Sequence, residues 1–137
     1  DRYAVLHPSF SPDGTKIAYM TNGTNRQIFV LDVATLDTRP LTPGNGEGWP
    51  SWSPDGARIV YTRNDGRMVV MNADGTDPVE LATASGLSFS MATWSPDGEA
   101  IAARGNNDIV LVDSTVTPAP IAADRLRSER LALLPSQ

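Results

Sequence analysis

The sequence predicts an all-β fold made of three similar units, each built from four short strands. The tetrapeptide Ser-Pro-Asp-Gly occurs at Ser11–Gly14, Ser53–Gly56 and Ser95–Gly98, so it recurs after 42 residues both times (11 to 53 and 53 to 95). Eleven glycines and eleven prolines among 137 residues favour short strands joined by turns. No segment before about residue 123 shows the periodicity of a helix, which is roughly 3.6 residues.

The repetition extends beyond the tetrapeptide to apolar positions on both sides of it. An aromatic residue precedes each copy and an isoleucine follows at a constant offset. An apolar segment then begins at about the same distance from each copy. These three sets are Phe10, Trp52 and Trp94; Ile17, Ile59 and Ile101; and Ile28–Asp32, Met68–Asn72 and Ile109–Asp113.

The second unit shows how four strands follow one another. Trp49–Trp52 is the first strand and leads into the turn, in which proline and glycine supply the special backbone angles. Arg58–Thr62 is the second strand, with Ile59 and Tyr61 on one face and Val60 on the other. Asn64-Asp-Gly66 is a tight hairpin signal. Met68–Met71 is the third strand, apolar on both faces, and Val79–Ala82 the weaker outer one.

Four-stranded units that repeat every 40–45 residues or so are typical blades of a β-propeller. We therefore expect three blades over about residues 5–43, 47–83 and 88–123. The remaining residues 124–137 form a tail. Their alternation of charge and leucine leaves two interpretations, a frayed end or a docking helix over about 125–134. Asp1–Leu6 is a candidate edge strand that completes the last blade of a neighbour.

Two stretches also resemble a known repeat family. Trp52–Tyr61, with the pattern W-S-P-D-G-x-x-I-x-Y, and Val70–Thr76, with the sequence VMNADGT, are similar to the TolB-like, WD-repeat-like propeller repeat of bacteria. The resemblance covers about residues 5–123. It implies a periplasmic or secreted bacterial setting, although no signal peptide is recognisable in this sequence. A propeller is a platform for many activities, so the resemblance by itself leaves the function open.

Closed propellers have typically about four to eight blades, so three blades leave two apolar faces open. Two chains joined head to tail make a six-bladed ring, which predicts a homodimer in which each chain is half of the ring. The alternative is that the remaining blades belong to a longer chain.

Composition excludes several classes of function. Sixteen acidic against eleven basic residues give a formal charge of −5, which argues against a nucleic-acid partner. The absence of cysteine excludes disulfides, thiol catalysis and cysteine-ligated zinc. No apolar run reaches the roughly 20 residues of a membrane-spanning helix. With a single histidine, His7, and no nucleophile motif, we expect no enzyme activity, no cofactor and no metal.

Acidic residues in turns are weak candidates for a metal or catalytic site. Asp13, Asp55 and Asp97 occupy the same place in every repeat, so a structural role in the turn is the better interpretation. Asn72–Asp77 superficially resembles a calcium loop, but Asp77 stands where an EF-hand loop needs glycine.

The candidate binding residues come from repeat positions at which the three units differ. A step of 42 from His7 reaches Trp49 and then Met91, at the start of the first strand of each blade, with Glu47 close by. First strands line the channel of a propeller. Loops at 22–26, 63–67 and 104–108 are expected on the same rim. They contribute four further candidates: Arg26, Arg63, Arg67 and Arg104.

The sequence thus predicts a non-enzymatic scaffold propeller that binds a protein, peptide or glycan at its channel rim. Trp and Met side chains suit contact with proteins or peptides. One alternative is a fragment of the gating propeller of a prolyl-oligopeptidase-like serine peptidase. Another is a sugar-processing lyase with metal ligands in the channel.

Overall fold

A computed structural model describes residues 4–82 and 87–114, which form eleven strands in three antiparallel sheets. The first sheet contains β1 (Val5–Phe10), β2 (Lys16–Thr21), β3 (Ile28–Asp32) and β4 (Thr38–Pro40). The second contains β5 (Glu47–Trp52), β6 (Arg58–Arg63), β7 (Met68–Asn72) and β8 (Val79–Ala82). The third contains β9 (Phe89–Trp94), β10 (Ala100–Gly105) and β11 (Asp108–Asp113). Within each sheet, strands adjacent in sequence are hydrogen-bonded neighbours.

The described residues contain no helix, which confirms the predicted all-β class. The strands Ile28–Asp32, Met68–Asn72 and Val79–Ala82 have the predicted bounds. The predicted fourth strand of the third unit and the tail at 124–137 lie outside the described residues.

Two predictions at strand starts need correction. The first strand of the second unit begins at Glu47 rather than Trp49, because Glu47 and Gly48 pair with Arg63 and Thr62. Val5 and Leu6 do not form an edge strand for a neighbour. They pair with Thr21 and Met20 inside the first sheet, so β1 is the first strand of its own unit.

Each Ser-Pro-Asp-Gly segment is a β-turn closed by the same hydrogen bonds. In the second sheet, the Gly56 amide donates to the Ser53 carbonyl at 2.9 Å, and Gly56 has a φ of 72° that favours glycine. The Ser53 hydroxyl accepts from the Arg58 amide at 2.9 Å and donates to Asp55 Oδ1 at 2.5 Å. The Asp55 carboxylate also accepts the Ala57 amide at 3.0 Å, which confirms the structural role of the turn aspartates.

The sheets pack on one another through two apolar clusters, and most positions of one cluster have an equivalent in the other. Between the first and second sheets, Ala18, Ile28, Val30 and Leu41 face Trp52, Ile59, Tyr61, Val69 and Met71. Between the second and third, Val60, Met68, Val70 and Leu81 face Phe89, Ala92, Trp94, Ile101, Ala103 and Val112. The second sheet therefore uses both faces. Ile59 and Tyr61 lie on one and Val60 on the other, as the alternation predicts.

Candidate binding surface along the inner strands

The first strand of each sheet contains a β-bulge at the same repeat position. In β1, Leu6 pairs with Met20 and Ser9 with Ala18, which leaves His7 and Pro8 opposite Tyr19 alone. The registers of β5 and β9 shift at the equivalent places, between Gly48 and Ser51 and between Ser90 and Thr93. A bulge of this kind bends the strand and changes the direction of a side chain. The three bulges therefore give His7, Trp49 and Met91 one common placement.

These three residues also share an uncommon backbone conformation. The φ angles are 51° at His7, 54° at Trp49 and 55° at Met91. A side chain with a Cβ in this region costs about 1 kcal/mol or more relative to an ordinary strand conformation. The fold imposes this geometry on three different side chains, so it is a property of the repeat rather than of one residue.

Trp49 is the centre of the best-formed side-chain group on this surface. Its ring centroid lies 5.6 Å from that of His7, at an interplanar angle of 47°. The Cζ of Arg26 lies 5.1 Å from the centroid of the Trp49 ring, which is a cation–π distance. The structure therefore brings three of the predicted residues together: one from β1, one from β5 and one from the loop between β2 and β3.

Met91 extends this surface onto the next strand. It lies in β9, which packs against β5, and its side chain is 55% exposed. A methionine that exposed on a strand interior is unusual, because most large apolar side chains of this chain that lie on strand interiors face the clusters between the sheets. The inner strands thus carry imidazole, indole and thioether groups along one surface, and the β2–β3 loop adds the guanidinium of Arg26.

The hairpin loops lie at the same end of the sheets as the starts of the inner strands. The amides of Asn22, Asn64 and Asn106 donate to the carbonyls of Ala4, Gly46 and Ser88, at 2.8, 3.0 and 3.1 Å. These six positions are equivalent in the three units. The Arg26 carbonyl also accepts the Glu47 amide at 3.2 Å, and the Gly66 carbonyl accepts that of Phe89 at 2.8 Å. The first two loops are therefore tied to the next sheet.

The remaining predicted arginines lie in separate local groups. Arg63 pairs with Asp65 at 2.9 Å, and Arg67 contacts Asp65 at 3.5 Å and Glu80 at 3.0 Å. These partly exposed pairs are worth at most about 1 kcal/mol each and mainly fix the loop charges in place. Arg104 Nε donates to the carbonyl of Asn106 in its own loop at 3.0 Å. None of these contacts joins the Trp49 group.

Glu47 is 3% exposed and organises the connection between the first two sheets. Its Oε2 accepts the amides of Gly44 and Asn45 at 3.2 and 2.8 Å, and the hydroxyl of Thr42 lies 3.3 Å away. The loop at 44–46 is therefore shaped around a buried carboxylate. Burial, with a smaller contribution from the charge of Glu47, raises the pKa of Tyr61 to about 12. Glu47 therefore holds the loop in shape from below and is not itself exposed on the surface.

Within residues 4–82 and 87–114, no three His, Asp or Glu side chains come together as a metal site. In the segment that resembles a calcium loop, Asp74 Oδ1 accepts the amide and hydroxyl of Thr76, at 2.9 and 2.6 Å. These bonds hold a turn. The same part of the chain contains no helix long and apolar enough to cross a membrane.

The bulges and the Arg26–Trp49 contact were not predicted from the sequence. A signal for two of the bulges is present, because Pro8 and Pro50 follow His7 and Trp49 inside strand segments. Proline within a strand indicates an edge or a bulge. The third bulge has Ala92 at this place, so only the alignment of the repeats could have revealed it.

Successive antiparallel sheets of three or four described strands, packed face to face with their first strands side by side, define a β-propeller architecture. The family model described as the TolB beta propeller domain matches residues 1–118. The chain belongs to this family, as the resemblance in the sequence indicated. No curated protein sequence matches the chain.

Solved structures with the same fold come from proteins of different kinds. A structure assigned to TolB of Agrobacterium tumefaciens is 23% identical with a TM-score of 0.66, and the match covers 88% of this chain and 42% of that one. A chain of a nidogen/laminin complex is 15% identical with a TM-score of 0.68, covering 81% and 44%. Pyrococcus horikoshii acylaminoacyl peptidase is 13% identical with a TM-score of 0.66, covering 83% and 23%. This chain thus spans less than half of each of these proteins.

Proposed function

We propose that this chain is a non-enzymatic scaffold of the TolB-like type, which binds a protein, peptide or glycan on the surface around Trp49. The observation that carries the proposal is the series of three equivalent bulges, which present His7, Trp49 and Met91 on adjacent inner strands. A repeated backbone geometry with different side chains is what a recognition surface on a fixed scaffold requires.

The side chains of this surface suit contact with a polypeptide. Tryptophan, arginine and methionine are enriched at protein interfaces, and Trp and Arg are common among the residues that contribute most to binding. Arg26 lies against Trp49, so the indole ring is held in place before a ligand arrives. Such preorganisation lowers the entropic cost of binding. A peptide that offers an apolar side chain next to an acidic group fits this combination best.

The proposal also concerns how the propeller ring is closed and where in the cell the protein is located. A closed ring needs more sheets than the three described, supplied by a second copy or by a longer chain. Membership of the TolB propeller family supports a periplasmic or secreted location in a bacterium.

A fragment of a peptidase gating propeller is the alternative. Its support is the likeness to the acylaminoacyl peptidase, which at 13% identity reflects fold alone. His7 is the only histidine, and its ring contacts Trp49 rather than a serine. The described surface therefore favours binding over hydrolysis. A gene product that continues into a hydrolase domain with a nucleophile motif would instead support the alternative.

The experiment is selection of a random displayed-peptide library on the immobilised chain, followed by affinity measurement of the selected peptides. We expect Arg26→Gln and Met91→Lys each to weaken binding of these peptides about tenfold, because Met91 is exposed and Arg26 is partly exposed beside Trp49. Arg39→Gln is the matched control. Arg39 lies on β4, the outermost strand of the first sheet, and its guanidinium donates to the carbonyl of Asp74 in the β7–β8 turn. Peptides that bind both surface variants as tightly as the unchanged chain would refute the proposed site.

A further inference from the structure

The two interfaces between sheets inside this chain are copies of each other. Trp52 and Trp94 are 7% and 8% exposed, and each lies against the preceding sheet. Ile59 and Ile101, at the next equivalent position, are both 0% exposed. At each internal interface, the later sheet presents a face with the aromatic residue and the isoleucine, which is the first type of face. It packs on a second type of face of the preceding sheet, which carries Ala18 or Val60.

The first sheet has the first type of face without a partner. Its residues are Phe10, Ile17, Tyr19, Phe29 and Leu31, which we call the front face. Phe10 is 63% exposed, whereas its equivalents Trp52 and Trp94 are buried. Tyr19 and Phe29 stack with ring centroids 5.7 Å apart, and no other sheet of the described residues packs on this face.

The third sheet has the second type of face, on which no other sheet of the described residues packs. Its residues are Ala102, Ile109 and Leu111, which we call the back face; they correspond to Val60, Met68 and Val70. Ile109 is 57% exposed, whereas Met68 is fully buried. The chain therefore carries both halves of an interface that it already forms twice internally.

The Ser-Pro-Asp-Gly turns repeat the same relation. A methyl group placed on Gly56 would lie 3.6 Å from Cδ of Pro12, and one on Gly98 would lie 3.7 Å from Cδ of Pro54. Each turn thus contacts the proline of the preceding sheet. Around Gly14 no atom lies within 4 Å of the same position, so the first turn lacks the proline that the other two have.

We infer that the front face of one chain binds the back face of a second copy, and the reverse, so that two chains close one ring. This inference rests on the proposed propeller scaffold, for which it names the partner. The internal interfaces supply the template: Phe10 takes the place of Trp94, and Ile109 takes that of Met68. Two copies contribute six sheets, within the usual range of about four to eight.

Cysteine cross-linking tests the arrangement directly, because the chain contains no cysteine of its own. Across the second internal interface, Ser51 Oγ and Thr93 Oγ1 lie 3.5 Å apart. The equivalent pair between two copies is Thr93 of one and Ser9 of the other. We expect a mixture of Ser9→Cys and Thr93→Cys chains to form a disulfide-linked dimer on mild oxidation. Each variant alone should cross-link far less, and Ser51→Cys with Thr93→Cys in one chain is the positive control.

Light scattering after size-exclusion chromatography provides the second test. The unchanged chain should be a dimer, and Phe10→Glu and Ile109→Arg should each weaken dimerisation about tenfold or more. Mixing these two variants should restore a dimer, because one of its interfaces is then unaltered. Leu36→Glu, at a residue 70% exposed in the β3–β4 turn, should leave the dimer intact.

Three outcomes would overturn the inference. A monomer at all concentrations would mean that no second copy covers these faces. A dimer that withstands Ile109→Arg would exclude the back face, and failure of the mixed cysteine chains to cross-link would exclude the head-to-tail arrangement. Peptide binding is measured separately, so a dimer that binds no peptide would refute the proposed function and leave this inference in place.

Discussion

The serine and aspartate of each Ser-Pro-Asp-Gly turn form a small hydrogen-bonded unit. Asp13 accepts the Ser11 hydroxyl at 2.7 Å and the Thr15 amide at 2.9 Å. The Ser11 hydroxyl bond is the main reason that the pKa of Asp13 falls from 3.8 to about 2, and the Thr15 amide comes next. Serine hydroxyls likewise lower the pKa of Asp55 and Asp97. Because the bonds favour the ionised carboxylate, they link turn stability to pH.

We therefore predict that the protein loses stability as the pH falls below about 4. A lowered pKa in the folded state gives stabilisation that is complete above the unfolded value of 3.8 and is lost on descent towards 2. In Asp13→Asn, the urea concentration at the unfolding midpoint should fall less over this pH range, because the asparagine side chain does not titrate. Urea unfolding at a series of pH values measures this. Asp37→Asn, in an exposed turn without the Ser-Pro-Asp-Gly sequence, is the control. An unchanged pH slope in Asp13→Asn would contradict the prediction.

The positive φ at Met91 gives a second prediction for a single residue. The φ angle of Met91 is 55° and the residue is 55% exposed, so truncating its side chain removes few packing contacts. Met91→Gly removes the Cβ that makes this conformation unfavourable, whereas Met91→Ala retains it. The glycine variant should be more stable than the alanine variant by about 1 kcal/mol, the reverse of the order in an ordinary strand. Urea unfolding of both variants measures the difference, and an alanine variant of equal or higher stability would mean that the bulge is not strained.

Equivalent strands of different sheets have unequal burial, and this also can be tested. Ile59 in β6 is 0% exposed, whereas Ile17 at the same position of β2 is only partly buried. Ile59→Ala leaves a cavity in the cluster between the first two sheets and should cost about 2–5 kcal/mol. In a monomer, Ile17→Ala should cost less than half as much. Equal losses at concentrations where the chain is monomeric would contradict the described packing.

At the scale of strands, the sequence was sufficient for most of the fold because the information is local and repeated. Alternation in Arg58–Thr62 assigns Ile59 and Val60 to opposite faces, and the structure places them in different clusters. Glycine in each turn requires a positive φ, which is found at 72°, 72° and 76° for Gly14, Gly56 and Gly98. Three copies of one pattern also reveal the packing order, since every copy must pack in the same way.

The sequence predicted which residues belong to the site but not how their side chains contact one another. The step of 42 residues identified His7, Trp49 and Met91, but the contact of Arg26 with Trp49 joins a loop of one sheet to a strand of the next. Such a contact depends on how the sheets pack, which no local pattern encodes. The place of Glu47 is a similar case. A carboxylate beside glycines is expected to be exposed, whereas Glu47 is buried and accepts the amides of Gly44 and Asn45.

For the whole molecule, the proposed closure of the ring by two copies predicts that stability depends on concentration. If unfolding starts from a dimer, mass action stabilises the folded state as the protein concentration rises. For a chain of 137 residues this corresponds to a rise in Tm of about 2 °C for each tenfold increase in concentration. Calorimetry over a hundredfold range, about 4 °C in total, resolves this easily. A monomeric propeller fragment would show no such dependence.

The same measurement on variants separates association from simple loss of packing. Phe10→Glu should reduce the concentration dependence and lower Tm towards that of the dilute unchanged chain, because Phe10 is 63% exposed before association and contributes little to the monomer. Leu36→Glu alters a side chain of similar exposure in the β3–β4 turn and should keep the full dependence. If Phe10→Glu retains the dependence, the front face is not the interface. If both variants lose it, the association is a non-specific property of exposed apolar side chains rather than the packing of one sheet on another.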